Sequence, residues 1–232
     1  MKKELLIFGA NGALGKGVTE ALVSKDYEKI YLFDFKFDNP EKYSSGRVKQ
    51  ILIGDLSNEK NVENAFKNIL PDKNKSFFLY TTIGGFTGGK KTWETSVEDW
   101  DKMMQMNLKT SFLIAKYFAK LVSGSGSGSI CFTAAYTGLF PESAKAAYGT
   151  SKGALVHFIK TLALEGNEIR FSVNAIAPYI IDTDANRGWM KDADFSKWIK
   201  PGEIGELAHS LFNYHHFVTG NIIQLTGRFN IE

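Results

Sequence analysis

Short apolar runs punctuate the chain at residues 4–8 (ELLIF), 30–34 (IYLFD), 50–53 (QILI), 77–80 (FFLY), 129–132 (SICF), 171–176 (FSVNAI) and 222–225 (IIQL). Most are continuous rather than alternating, the pattern of strands in a sheet covered on both faces. Between most of them apolar residues recur at helical spacing, which predicts helices over 15–24, 59–69, 97–122, 144–165 and 203–213. Ser96 followed by Asp99 resembles a capping box at the start of the third. Strand–helix alternation along the whole length implies an α/β fold in three layers, a doubly wound parallel sheet of about seven strands with right-handed crossovers. Ligands of such folds bind beyond the carboxyl ends of the strands. The stretch SGSGSGS at 123–129 has the composition of a linker and is expected to form a flexible surface loop between the long third helix and the fifth strand.

Length and charge narrow the picture. A chain of 232 residues suits one α/β domain, 1–232, better than two small ones. The net charge of +3 is scattered, and Lys2-Lys3 and Lys90-Lys91 form no stripe, so no nucleic-acid partner is expected. No run approaches the ~20 apolar residues of a membrane span. The apolar run after Met1-Lys2-Lys3 stops at a glycine turn, too short for a secretory h-region, and with a lone Cys131 in the apolar run ICF this points to a soluble protein of a reducing cytoplasm. His215-His216 has no evident third ligand, so no metal is expected.

Candidate chemistry begins at GANGALG, residues 9–15, between the first strand and the first helix. Glycines at 9, 12 and 15 allow a sharp turn, close backbone approach to a pyrophosphate, and packing of a helix whose positive dipole end faces the phosphates. The turn, Gly9, Asn11, Gly12, Ala13, Leu14 and Gly15, is therefore the candidate phosphate site of a Rossmann-type dinucleotide-binding domain. Asp34 ends the second strand nineteen residues after Gly15, placed to accept from ribose hydroxyls and to repel a 2′-phosphate. NADH is the expected cofactor; Lys36, two residues on, leaves NADPH possible. In AAYGTSKGAL, residues 146–155, Tyr148 and Lys152 lie one helical turn apart. A cation beside the phenol is expected to draw its pKa down and make it an acid–base group.

A glycine turn followed by YxxxK resembles the short-chain dehydrogenase/reductase family over essentially the whole chain. The resemblance implies adenine contacts at Asp55 and Leu56, a cofactor contact at Gly84, an active-site asparagine at Asn107 in a helix bulge, and cofactor contacts at Pro178 and Thr183 in APYIIDT, with Tyr179 replacing the usual glycine of PGxIxT. It also implies a homodimer built on the helices at 97–122 and 144–165, with Met103, Met106, Phe112, Phe158 and Leu162 as apolar candidates. The family's serine, thirteen residues before the tyrosine, is Ala135 here. That alanine, GALG, the loop TTIGGFTGG (81–89) and ADFSKW (193–198) together resemble the quinonoid dihydropteridine reductase branch. The branch implies a pterin-like substrate held by loops 81–95 and 178–200, with Phe86, Ala135 and Asn186 as candidate contacts. Thr133 is either a replacement hydroxyl or a strand residue of the core. The expected activity is reduction of quinonoid dihydropteridine; the alternatives are reduction of another small carbonyl or imine, and a silent NAD-binding regulator.

Overall fold

The structure, a computed structural model, describes residues 1–43 and 46–227. Strands β1 (Lys2–Phe8), β2 (Lys29–Asp34), β3 (Val48–Leu52), β4 (Lys75–Thr81), β5 (Ser127–Thr133), β6 (Phe171–Pro178) and β7 (Ile222–Leu225) form one sheet in the order β3-β2-β1-β4-β5-β6-β7. Every neighbouring pair is parallel. The chain therefore winds outward in both directions from β1 and β4, and a crevice opens at their carboxyl ends.

Helices cover both faces. α1 (Ala13–Val23) and α7 (Pro201–Asn213) lie on one, where Val18, Leu22, Ile204, Ala208 and Phe212 pack with Leu5, Ile7 and Tyr80 of the sheet. α2 (Glu59–Phe66), α4 (Thr110–Ser123) and α5 (Ala146–Gly166) cover the other, where Val62, Phe118 and Ile159 meet Leu6, Phe8 and Phe33. In β1, Leu6 and Phe8 point to one layer and Leu5 and Ile7 to the other, which is why the run is continuously apolar from Leu5 to Phe8.

Three sequence expectations change. The helix expected over 97–122 is α3 (Val97–Met103), a π-turn (Met104–Lys109) and α4 in succession. Ser96 Oγ accepts from the Asp99 N–H at 3.1 Å, while the Asp99 carboxylate pairs with Lys90 at 3.0 Å instead of completing a capping box. The expected loop 123–129 is mostly interior. Residues 125–129 are buried, and the last three already belong to β5. A side chain at Gly128 would run into Val122, and the serine hydroxyls find partners inside: Ser127 with Ser76 at 2.8 Å, Ser172 with Ser129 at 2.7 Å, and Ser125 with the Leu121 carbonyl at 2.7 Å. Small polar residues here make a strand tight enough to admit a helix against it, not a tether. A short helix α6 (Asp184–Trp189), for which the sequence offered no period, is capped by the Thr183 side chain accepting from Asn186 N–H.

Of the apolar residues expected at a dimer face, Met103 and Leu162 are buried in this chain, Leu162 against the sheet. Phe112, 45 % exposed, stays outside and stacks edge-on with Phe158 at 5.9 Å. Cys131 is fully buried in the core. Among the described residues no helix is long and apolar enough to cross a membrane, and no group of three His, Cys, Asp or Glu is placed to hold a metal ion. His215 bonds instead to Ser127 Oγ at 3.1 Å and the Phe212 carbonyl at 2.8 Å.

Candidate active site

The glycine turn leaves β1 through Gly9, whose φ of +79° a side chain would strain. Added bulk there would strike Thr82 Oγ1, which donates to the Gly9 carbonyl at 2.9 Å, and a Cβ on Gly15 would sit 1.8 Å from the same carbonyl oxygen. Gly12, by contrast, caps α1 in extended backbone with only ordinary contact around it. Two glycines are thus required by the fold, and the third leaves room for a ligand at a helix N-terminus. Asp34 closes the turn from the side, accepting from the Asn11 N–H and the Phe35 N–H at 2.8 Å each. Lys36 is drawn to Asp38 at 3.6 Å, and Lys16 to the same carboxylate at 2.7 Å. The residues present fit a dinucleotide whose ribose is met by a carboxylate. Leu56 is buried, and the Asp55 carboxylate accepts from Ser57 N–H and Oγ at 2.8 and 2.7 Å, which holds it ionised below the ordinary aspartate range.

Beyond the ends of β4, β5 and β6 lies a cavity of about 470 Å³. It gathers Leu14, Gly84, Phe86, Thr133, Ala135, Tyr148, Lys152, Pro178 and Asn186 from segments far apart in sequence. Phe86 meets Tyr148 edge-on at 4.9 Å and Trp189 at 5.8 Å, so the cleft has an aromatic wall. Ala135 is 4 % exposed and presents only a methyl group. The Thr133 hydroxyl is engaged with the Thr81 carbonyl at 2.9 Å and the Tyr80 hydroxyl at 3.0 Å, inside the sheet. Asn186 gives its amide to the Ile181 carbonyl at 2.8 Å, bracing its loop, and Thr183 serves as the cap of α6.

Lys152 is buried and donates to the Thr133 carbonyl at 2.8 Å; burial brings its pKa down to about 8. The phenol of Tyr148 goes the opposite way to the sequence expectation. Burial, and then the negative charge of Glu142, raise its pKa to about 12. The Lys152 ammonium is turned to the Thr133 carbonyl. A phenol in this state is a proton donor at neutral pH.

Asn107 stands in the π-turn, fully buried, and is not part of the cavity wall. Its Oδ1 accepts from Gly85 N–H at 2.9 Å, while its Nδ2 donates to the Gly85 carbonyl at 3.1 Å and lies 2.9 Å from Ser151 Oγ. It clamps the 81–89 loop to α5 one residue from Lys152. A Cβ on Gly84 would come within 2.8 Å of the Asn107 carbonyl oxygen and 3.2 Å of Lys152 Nζ, which explains a glycine there. Sequence reasoning missed Thr137, Glu142, Lys145, Trp189 and Met190 on the cavity wall. They sit on loops, a single helical turn and the ends of short helices, where no period marks a residue as facing inward.

A doubly wound sheet with a glycine turn, a carboxylate at the end of β2 and a Tyr–Lys pair at its crevice, the lysine buried, defines an oxidoreductase of the nicotinamide-dinucleotide class. Comparison with known proteins gives the family: the model of the short chain dehydrogenase family matches residues 3–194, and the chain belongs to that family. A dihydropteridine reductase of Dictyostelium discoideum is 31% identical over 208 residues, covering 89% of this chain and 86% of that protein. The human 3-oxoacyl-[acyl-carrier-protein] reductase is 25% identical over 233 residues, 98% of each chain. Among solved structures, a 3-oxoacyl-[acyl-carrier protein] reductase of Brucella melitensis with bound NAD has a TM-score of 0.83 at 21% identity, covering 99% of this chain and 92% of that one. ElxO with NADP bound has a TM-score of 0.81 at 23% identity, covering 97% of both chains.

Proposed function

We propose that this oxidoreductase is an NADH-dependent reductase of quinonoid dihydropteridine. The observation that carries the reading is the missing hydroxyl: Ala135 offers a methyl group, and the Thr133 hydroxyl is committed to the sheet. A ketone needs a donor on its oxygen while charge develops there. A quinonoid dihydropterin is an electron-poor conjugated imine driven towards its tetrahydro form, and needs orientation and one proton. The similarity to the Dictyostelium dihydropteridine reductase supports the same substrate class.

The bound nicotinamide supplies a hydride. Asp34 accepts from the adenosine ribose and disfavours a 2′-phosphate, with Lys36 and Lys16 neutralised by Asp38. Asp55, Leu56, Gly84, Pro178 and Thr183 border the remainder of the cofactor. Lys152 holds the nicotinamide ribose, and Phe86 walls the flat ring of the substrate. Tyr148 delivers the proton, so that substrate, hydride and proton give tetrahydropteridine and the oxidised nucleotide. Retention of the proton donor and its lysine argues against a silent regulator.

The test is turnover of chemically generated quinonoid dihydropterin, followed at the NADH absorbance band, with wild type and Ala135→Ser. Turnover by the wild type with little gain from the serine is expected. A large rescue of pterin turnover by Ala135→Ser, or turnover of simple ketones and none of the dihydropterin, would overturn the reading.

A further inference from the structure

In the reduction just described Glu142 acts only through its charge, which helps keep Tyr148 protonated, yet its side chain belongs to the wall of the same cavity. Its carboxylate is 27% exposed and is held from both sides: Lys145 Nζ pairs with Oε1 at 2.7 Å, and the Thr137 hydroxyl donates to Oε2. Burial opposes the charge, but those two donors outweigh it and keep the carboxyl below the ordinary glutamate range, so it is anionic at neutral pH. Thr137 and Lys145 also line the cavity. The loop is braced as well, since Ala144, at φ +61°, accepts from the Gly89 N–H at 2.8 Å and ties it to the loop that carries Phe86.

A carboxylate has about four lone-pair sites. The lysine and the threonine use one on each oxygen, which leaves one on each for a ligand. Two parallel acceptors suit a planar edge bearing adjacent N–H donors, the geometry that makes bidentate carboxylate pairs strong. We infer that Glu142 is a specificity-determining residue, which selects flat heteroaromatic substrates by an amidine-like N–H edge and rejects those carrying a carboxylate or phosphate. This deepens the pterin reading above and rests on it, because the 2-amino-pyrimidinone ring of a pterin presents such an edge.

The experiment compares pterin with lumazine, the same ring system with a carbonyl in place of the exocyclic amine, by ligand fluorescence in wild type, Glu142→Gln and Lys145→Met. The wild type should prefer pterin by about tenfold or more, the scale of a charge-assisted hydrogen bond. Glu142→Gln should erase most of that preference and raise KM for quinonoid dihydropterin about as much, with KM for NADH unchanged. Lys145→Met keeps the carboxylate and should keep the preference. Equal weakening of both ligands by Glu142→Gln, no change in their ratio, or loss of the preference in Lys145→Met would overturn the inference. A wild type that reduces the dihydropterin while Glu142→Gln leaves selectivity intact refutes the role of Glu142 alone. A wild type that selects pterin through Glu142 without reducing the dihydropterin refutes the proposed reaction alone.

Discussion

Replacing Asn107 with alanine separates two roles that the same residue can fill. Besides a weak contact to Met103 Sδ at 3.7 Å, the side chain makes three hydrogen bonds to nitrogen and oxygen atoms, two with Gly85 at 2.9 and 3.1 Å and one to Ser151 Oγ at 2.9 Å. Ser151 keeps its bond to the Tyr148 carbonyl at 2.8 Å, so its hydroxyl loses little. The Gly85 N–H and C=O are left open in a half-buried loop where water recovers part of the loss, and each costs about 1 kcal/mol, the low end for an unsatisfied group. Truncation inside a packed π-turn adds roughly 1 kcal/mol, giving about 2–3 kcal/mol in all. For a chain of this length that lowers the melting temperature by roughly 5–10 °C. The loop carrying Gly84 and Phe86 would then shift against Tyr148 and Lys152, and a displacement near 1 Å costs up to about 10²-fold in turnover. Differential scanning calorimetry and steady-state kinetics on Asn107→Ala measure both. A clamp predicts that melting temperature and kcat fall together. A melting temperature within 2 °C of wild type (about the resolution needed to detect 1 kcal/mol) with kcat lost would place Asn107 in the proton pathway and refute the clamp.

Tyr148→Phe should lower kcat by about 10²–10⁴-fold, the usual worth of general acid catalysis, with little change in NADH affinity measured by fluorescence titration. Lys152, with its pKa near 8, is a cation below that pH and neutral above it, so kcat/KM should decline as pH rises through about 8; a profile flat from 7 to 9 (about one pH unit each side) would disconnect the lysine from catalysis. Tyr148 stays protonated across the same window, because burial and Glu142 hold its pKa near 12. Asp34→Ala should narrow the preference for NADH over NADPH in kcat/KM, and equal use of both by the wild type would refute the argument from Asp34. Light scattering should show a homodimer on the α4–α5 face that exposes Phe112, and Phe112→Glu should yield monomers; a wild-type monomer at micromolar concentration would exclude that interface.

Much of the fold is legible in the sequence because the sheet is buried on both faces. Such strands are apolar at most positions, and the runs at 4–8, 77–80 and 171–176 announce themselves without any partner in view. The glycine turn and Asp34 are legible for a similar reason: they act through local backbone and through the end of one strand. Tyr148 and Lys152 are likewise fixed by one helical turn. The second half of SGSGSGS shows where local reading stops. Its serines look solvated until β4, β6 and α4 supply the partners that make them interior. The charge state of Tyr148 is decided in the same way: spacing along the helix puts a lysine beside it, but only the packed structure turns that lysine to the Thr133 carbonyl and brings Glu142 near. The cavity wall built by Glu142, Lys145 and Trp189 belongs wholly to the tertiary structure, because loops and a helix as short as α6 carry no legible period and their side chains acquire a common direction only when the strand ends they leave are set side by side.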